Sequence, residues 1–334
     1  MTVVAVTGAS GFVGKALCAD LLARGHTVRA AVRSASSISD AAGFEVFAIG
    51  EVGAATDWSE LLDSRFRGND DEFVDEAKPV DCVIHCTARA HVMRETEADA
   101  LEAYRNVNVA GTRRLAEQAA TLGVRRFIFL SSIGVNGIFT HGARRFKHDD
   151  VPAPLENYTI SKWEAEKVLW EVSAKTGLEV VVVRPPLVYG PGVKGNMLRL
   201  LSMVASGMPL PLGAVHNQRS LVGLDNLVDL LIHCVDHPAA ARQVLLVSDG
   251  EDLSTPELIR VLAQAMGKPS RLVPVPLLLL RAAGSLVGKD AEVDRLVGSL
   301  QVDSNYTFEL LDWIPPVSVN EGLQKTAEWF LSQR

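Results

Sequence analysis

Three features of the sequence predict an α/β fold in which a doubly wound parallel sheet is followed by a smaller C-terminal substrate-binding region. Short β-branched runs alternate with longer segments of helical period, the order in which strands and crossover helices follow one another. Residues 180–183 are an unbroken run of valine, as suits a strand covered on both faces. The first strand opens into the first helix through closely spaced glycines, which makes the predicted sheet one of the Rossmann type.

The strands fall at 3–7, 27–32, 45–49, 81–85, 126–131 and 179–183. Between the first two, residues 10–23 place Phe12, Val13, Ala16, Leu17 and Leu21 at helical spacing, and Gly25 follows where a left-handed cap belongs. Residues 101–122 read as one long helix closed in the same way by Gly123. The polar stretch 63–78 exceeds the usual loop of an α/β unit and reads as a solvated surface insertion. From Pro185 onward the alternation weakens. An apolar helix lies near 196–206, and Ser254-Thr255-Pro256-Glu257 has the form of a capped helix start. The dinucleotide-binding unit therefore spans 1–184, and 185–334 is mainly the substrate region.

Composition narrows the classes. A chain of 334 residues that is 48% hydrophobic and 22% charged is ordinary globular protein. With 33 basic against 40 acidic residues its formal charge is −7, which argues against a nucleic acid partner. Cys18, Cys82, Cys86 and Cys234 form no CxxC pair and no metal-ligand cluster, so they read as free thiols in a reducing cytoplasm, and no metal site is expected. The apolar stretch 273–280 contains Pro274 and Pro276 and ends at Arg281. That is too short for an integral membrane segment, and it reads as a loop feeding a buried helix.

The chemistry begins at Thr7-Gly8-Ala9-Ser10-Gly11-Phe12-Val13-Gly14. Glycine is needed where the chain turns tightly and where backbone approaches a pyrophosphate resting on a helix N-terminus. At the end of the second strand, where an acid usually holds the ribose 2′-hydroxyl, stand Val32 and then Arg33. A cation there suits a 2′-phosphate, so NADP(H) is favoured over NAD(H). Tyr158 and Lys162 are four residues apart, on one face of a helix. A free phenol titrates near ~10, and a neighbouring lysine and a cationic nicotinamide are expected to lower it until it can exchange a proton with a substrate oxygen that Ser132 also binds.

Together with Asp81-Cys82-Val83-Ile84-His85, Asn108-Val109-Ala110-Gly111-Thr112, Ser131-Ser132, Arg184-Pro185 and Tyr189-Gly190-Pro191-Gly192, these motifs resemble the extended short-chain dehydrogenases/reductases of the nucleotide-sugar epimerase/dehydratase family, over essentially the whole chain. The resemblance implies a cofactor cradle of Gly8, Gly11, Phe12, Val13 and Gly14, with Glu51 and Val52 near the adenine and Ala88, Asn108 and Pro185 along the cofactor path. It gives Lys162 a second role on the nicotinamide ribose, and Asn108 one in supporting the active-site helix. It also implies a nucleotide-diphosphate site at Asn196, Arg219 and Arg295, with Arg89 and His91 facing the sugar. His85, at a strand end, reads as structural.

The resemblance leaves several functions open. The first is an oxidoreductase that reduces C4 of a UDP-linked 4-keto sugar for bacterial surface polysaccharide. The alternative is a UDP-glucose or UDP-N-acetylhexosamine 4-epimerase holding NAD tightly. A dehydratase would need carboxylates beside the active-site serine, where Ile133-Gly134 has none. A dinucleotide-sensing or assembly protein on the same fold is the last. A homodimer packed through the helices near 101–122 and 158–176 is expected.

Overall fold

A computed structural model describes residues 1–34, 43–63, 79–90, 99–286 and 288–334. The expected insertion lies outside them except for Asp63, and so does His91. Seven parallel strands form the main sheet in the order β3-β2-β1-β4-β5-β6-β9. They are β1 Val3–Thr7, β2 Thr27–Val32, β3 Glu45–Ala48, β4 Cys82–His85, β5 Arg126–Leu130, β6 Glu179–Arg184 and β9 Gln243–Leu246. The strand order reverses between β1 and β4, and in open α/β sheets the crevice beside the carboxyl ends at such a point is where ligands bind.

The sheet forms because both of its faces are covered. Val4, Val6, Val28 and Val181 pack on one side with Leu17 and Leu21 of α1 (Phe12–Ala23), and Val3, Ala5, Val180 and Val182 face the other. That second side is closed by the short α2 (Ser59–Leu62), by α4 (Gly111–Thr121) and by α5 (Asn157–Thr176). The predicted helix 101–122 is interrupted. It begins as α3 (Ala100–Arg105), widens into a π-helical turn over Asn106–Ala110, and resumes as α4. Such a turn inserts one residue without ending the helix, and its usual home is a functional site.

Beyond β6 the chain adds a second sheet, β10-β8-β7, from β7 Leu187–Tyr189, β8 Arg219–Gly223 and β10 Asp252–Leu253. Between its strands lie α6 (Gly195–Ser206) and α7 (Leu224–Asp236), after which β9 returns to the main sheet, past the expected boundary at 184. The rest is helical: α8 (Thr255–Ala265), α9 (Leu277–Leu286), α10 (Asp290–Val297), α11 (Asn305–Leu311) and α12 (Val319–Ser332). The capped start predicted at Ser254 is present, with Ser254 and Glu257 satisfying each other's backbone N–H.

The helix expected to be buried after Pro276 is instead largely exposed. Leu278, Leu279 and Leu286 are 79%, 58% and 88% accessible. Only the stripe of Leu277, Leu280 and Gly284 turns inward, and helical spacing puts the other leucines on the far face. Among the described residues no helix is long and apolar enough to cross a membrane.

Gly111, where α4 begins, is a packing contact with the loop after β3: a Cβ there would lie 2.6 Å from Val52 Cγ1. Gly111→Ala should lower stability by about 1–3 kcal/mol, the usual cost of overpacking a tight contact. A urea denaturation midpoint equal to that of the wild type would mean that the contact yields freely.

Candidate active site

The loops that carry Gly8, Arg33, Arg89, Ser132 and Pro185 leave the carboxyl edge of the main sheet. Gly8 has φ +69°, and a Cβ on it would stand 3.0 Å from the Thr87 nitrogen in the loop after β4. A Cβ on Gly14 would lie 2.2 Å from the Gly8 carbonyl oxygen, so only glycine lets the first turn of α1 sit this close to the strand end. Gly11 caps α1 without a side-chain hydrogen bond, and its first turn has no acid. The positive end of that helix is thus left for an anion. This cradle fits a dinucleotide pyrophosphate. The half-buried Val13 side chain packs against the main-sheet core and that of Phe12 against both hydrophobic cores, which leaves their backbone N–H groups as what they could offer a pyrophosphate.

Arg33 is exposed one residue beyond β2, and its carbonyl accepts the Gly50 N–H at 3.2 Å. That bond brings Glu51, also exposed, to the neighbouring strand end, with Val52 held against Gly111. A cation and a carboxylate therefore both stand where the adenosine ribose of a dinucleotide would lie.

Ser132, Tyr158 and Lys162 come from the end of β5 and the first two turns of α5. Lys162 is 1% exposed; its ammonium donates to the Leu130 carbonyl at 2.7 Å and lies 4.3 Å from the centre of the Phe129 ring. Burial pulls its pKa down to about 8, against smaller upward pushes from Cys86 and Glu166. Tyr158 is half-buried, and its phenol is pushed up to about 12 by desolvation, with a smaller contribution from Tyr104. The expected lowering by Lys162 is absent because the ammonium is drawn to a carbonyl and an aromatic face. At neutral pH this phenol is a proton donor. Ser132 Oγ accepts the Gly134 N–H at 3.2 Å, which leaves its own proton for another oxygen.

Tyr104 and Glu166 were not legible in the sequence, and they meet Arg89 and Arg184, which were. Tyr104 meets Tyr158 edge-on, with ring centres 6.4 Å apart, and Arg89 lies 5.6 Å from the centre of the Tyr104 ring. Asn108, inside the π turn and 1% exposed, accepts the Arg89 N–H at 2.8 Å and donates to the Arg89 carbonyl at 3.1 Å and to Ser161 Oγ at 2.9 Å. Its amide is thus engaged with protein, so it fixes the path of Ala88 and Arg89 and supports α5. Glu166, a turn beyond Lys162, is fully buried. It accepts from Ser131 Oγ at 2.5 Å and from Arg184 at 2.5 and 3.0 Å, and Arg184 also reaches Asn136 at 2.9 Å. Pro185 follows, and its carbonyl accepts the Ile133 N–H at 2.9 Å.

On the substrate side the structure brings Arg219 and Arg295 together, although not as two free cations. Arg219 Nη1 donates to the carbonyls of Arg295 at 2.6 Å and Gly298 at 3.2 Å, at the end of α10, and burial lowers its pKa. The Arg295 guanidinium pairs with Glu156, the N-cap of α5. Asn196 is exposed in the first turn of α6.

Residues 4–247 match the model of the NAD dependent epimerase/dehydratase family. A UDP-glucose 4-epimerase of Vibrio cholerae is 47% identical over 328 residues, covering 98% of this chain and 94% of its own. An N-acetyl-alpha-D-glucosaminyl-diphospho-ditrans,octacis-undecaprenol 4-epimerase of Escherichia coli is 29% identical over 68% of this chain and 71% of its own. Among solved structures, a UDP-glucuronic acid 4-epimerase from Bacillus cereus, in complex with NAD, superposes with a TM-score of 0.77 at 20% identity over 99% of each chain.

The state of the Tyr158 phenol can be read directly. The absorbance difference between wild type and Tyr158→Phe, titrated without cofactor, should show no phenolate from this site at pH ~10, where free tyrosine is half ionised. A difference titration complete below pH ~10 would contradict the burial of the group.

Proposed function

Because the chain belongs to the NAD dependent epimerase/dehydratase family, we propose that it inverts the C4 hydroxyl of a UDP-linked hexose and holds NAD through both halves of the cycle. The observation that carries this reading is the 47% identity, over nearly the full length of both chains, to a protein named UDP-glucose 4-epimerase. The 4-keto sugar reductase is the weaker reading, since it rests on Arg33, the missing acid and a resemblance in short loop stretches, whereas the full-length relative is named for epimerisation. The second relative is also named for C4, on a different diphosphate carrier.

A bound nicotinamide ring supplies hydride acceptance from C4 and its return to the opposite face. The chain's own residues do the rest. Tyr158 exchanges a proton with the C4 oxygen, and Ser132 hydrogen-bonds the same atom. Burial keeps the Tyr158 phenol protonated, and a cationic group bound beside it would favour the phenolate. Lys162, fixed on Leu130, serves the ribose, and the helix end at Gly11 holds the pyrophosphate. Arg219 lines the diphosphate site with Asn196, and Arg295 steadies α5 through Glu156. A homodimer formed by α4 and α5 belongs to the same proposal; their surface bears the Arg113–Glu171 ion pair.

Purified protein should interconvert UDP-glucose and UDP-galactose without added cofactor, with NAD released on denaturation, and Tyr158→Phe should lower turnover by about 10²–10⁴. Stoichiometric NADPH consumption with a UDP-4-keto sugar, with that preference lost in Arg33→Ala, would replace this reading by the reductase.

A further inference from the structure

His85 ends β4 beneath the site, with no accessible surface. Its ring packs against Phe127 and Phe129 of β5, at 5.9 and 5.8 Å between centres, so packing alone would explain an aromatic residue here. Its two nitrogens require more. Nδ1 is 2.6 Å from Thr7 Oγ1, on the residue before Gly8, and Nε2 is 3.0 Å from Thr112 Oγ1 on α4. The direction of each bond follows from its neighbours. Thr112 donates its proton to the Asn108 carbonyl at 2.6 Å, so its oxygen must accept from His85 Nε2–H. A neutral imidazole has one N–H, so Nδ1 accepts the Thr7 hydroxyl proton, and Thr7 Oγ1 in turn faces the Thr87 N–H at 3.4 Å. Beyond Asn108 the chain continues through its Nδ2 to Ser161 Oγ at 2.9 Å, and from Ser161 Oγ to the Tyr158 carbonyl at 2.7 Å.

Every donor in this series points the same way, from the loop that opens the dinucleotide cradle to the turn that presents the phenol. We propose that His85 is a positioning residue: through Thr7, Thr112, Asn108 and Ser161 it locks the glycine-rich cradle and the catalytic helix into one register, so that the cofactor and Tyr158 are placed by a common buried element. Burial holds the imidazole neutral, its pKa pulled down to about 3 with Lys162 adding to the shift, which keeps the two nitrogens in opposite hydrogen-bonding roles. The inference rests on the family's use of a nicotinamide dinucleotide and not on the identity of the sugar.

The test uses Thr7→Val, Thr112→Val and the double variant, with His85→Phe as a ring that keeps the stacking and loses both bonds. NADH affinity of stripped protein is read by fluorescence titration, turnover with the best sugar nucleotide is read beside it, and thermal melting reports folding. Thr112 lies on α4, away from the cradle, yet Thr112→Val should weaken NADH binding about three- to tenfold, the equivalent of one ordinary hydrogen bond. The double variant should be no worse than the worse single one, because both cut the same series. Wild-type NADH affinity in Thr112→Val with only a lower melting temperature, or losses that multiply in the double variant, would overturn the proposal even if His85→Phe failed to fold. Because NADH binding is read without a sugar, an error in the assigned sugar chemistry leaves this outcome unaffected.

Discussion

The carboxylate of Glu166 is the anchor on which the catalytic geometry depends. It sits fully buried on α5 and binds both the Ser131 hydroxyl at the end of β5 and the Arg184 guanidinium at the end of β6. One ion pair thereby fixes the helix that bears Tyr158 and Lys162 against the two strands that supply Ser132 and Pro185. Removing one partner of such a pair strands a buried charge, which costs far more than the intact pair contributes. Arg184 also holds Asn136, so the 3₁₀ turn after Ser132 is drawn into the same network. Helix α5, β5, β6 and the turn after Ser132 are thus held to one another by a single buried network.

The C-terminal half joins the main sheet through a shared core, in which Leu227, Leu230 and Leu231 of α7 pack with Leu17 and Leu21 of α1, and single side chains add to it. Phe12 packs into the cores of both the main sheet and the substrate region. Arg295 reaches from α10 to the N-cap of α5, and Arg219 binds the carbonyls at the end of α10. An ion pair thus ties α10 of the C-terminal half to the start of the helix that carries Tyr158 and Lys162. Within the C-terminal half the Tyr189 hydroxyl donates to Asp249, which also binds Asn226 and the Gly223 N–H.

The parallel sheet, the glycine cradle and the Tyr158–Lys162 pair were legible in the sequence because each is local: period, turn chemistry and four-residue spacing are written in neighbouring residues. What escaped depends on residues far apart in the chain. Glu166 reads as one more surface charge on a polar helix until Arg184 arrives from β6. Tyr104 gives no signal without Tyr158. The π turn is invisible because its residues have ordinary helix propensity, and only the burial of Asn108 against Arg89 and Ser161 selects it. The Lys162 ammonium was expected to act on the phenol, yet the Leu130 carbonyl, a backbone group that no sequence pattern displays, takes it. The exposed leucines of α9 were read as core because an apolar run has no intrinsic sidedness in so short a segment.

The π turn has a consequence for how the chain tolerates length changes. A residue added within a helix rotates everything beyond it by about 100°, and Asn106–Ala110 is such an addition made permanent. Deleting one residue there would restore a regular helix and improve its local hydrogen bonding. It would also turn α3 out of phase with α4, so that Tyr104 and Asn108 could no longer both face α5. The segment is thus a place where the more stable local helix is the wrong one, and where a single-residue deletion trades the site for the scaffold.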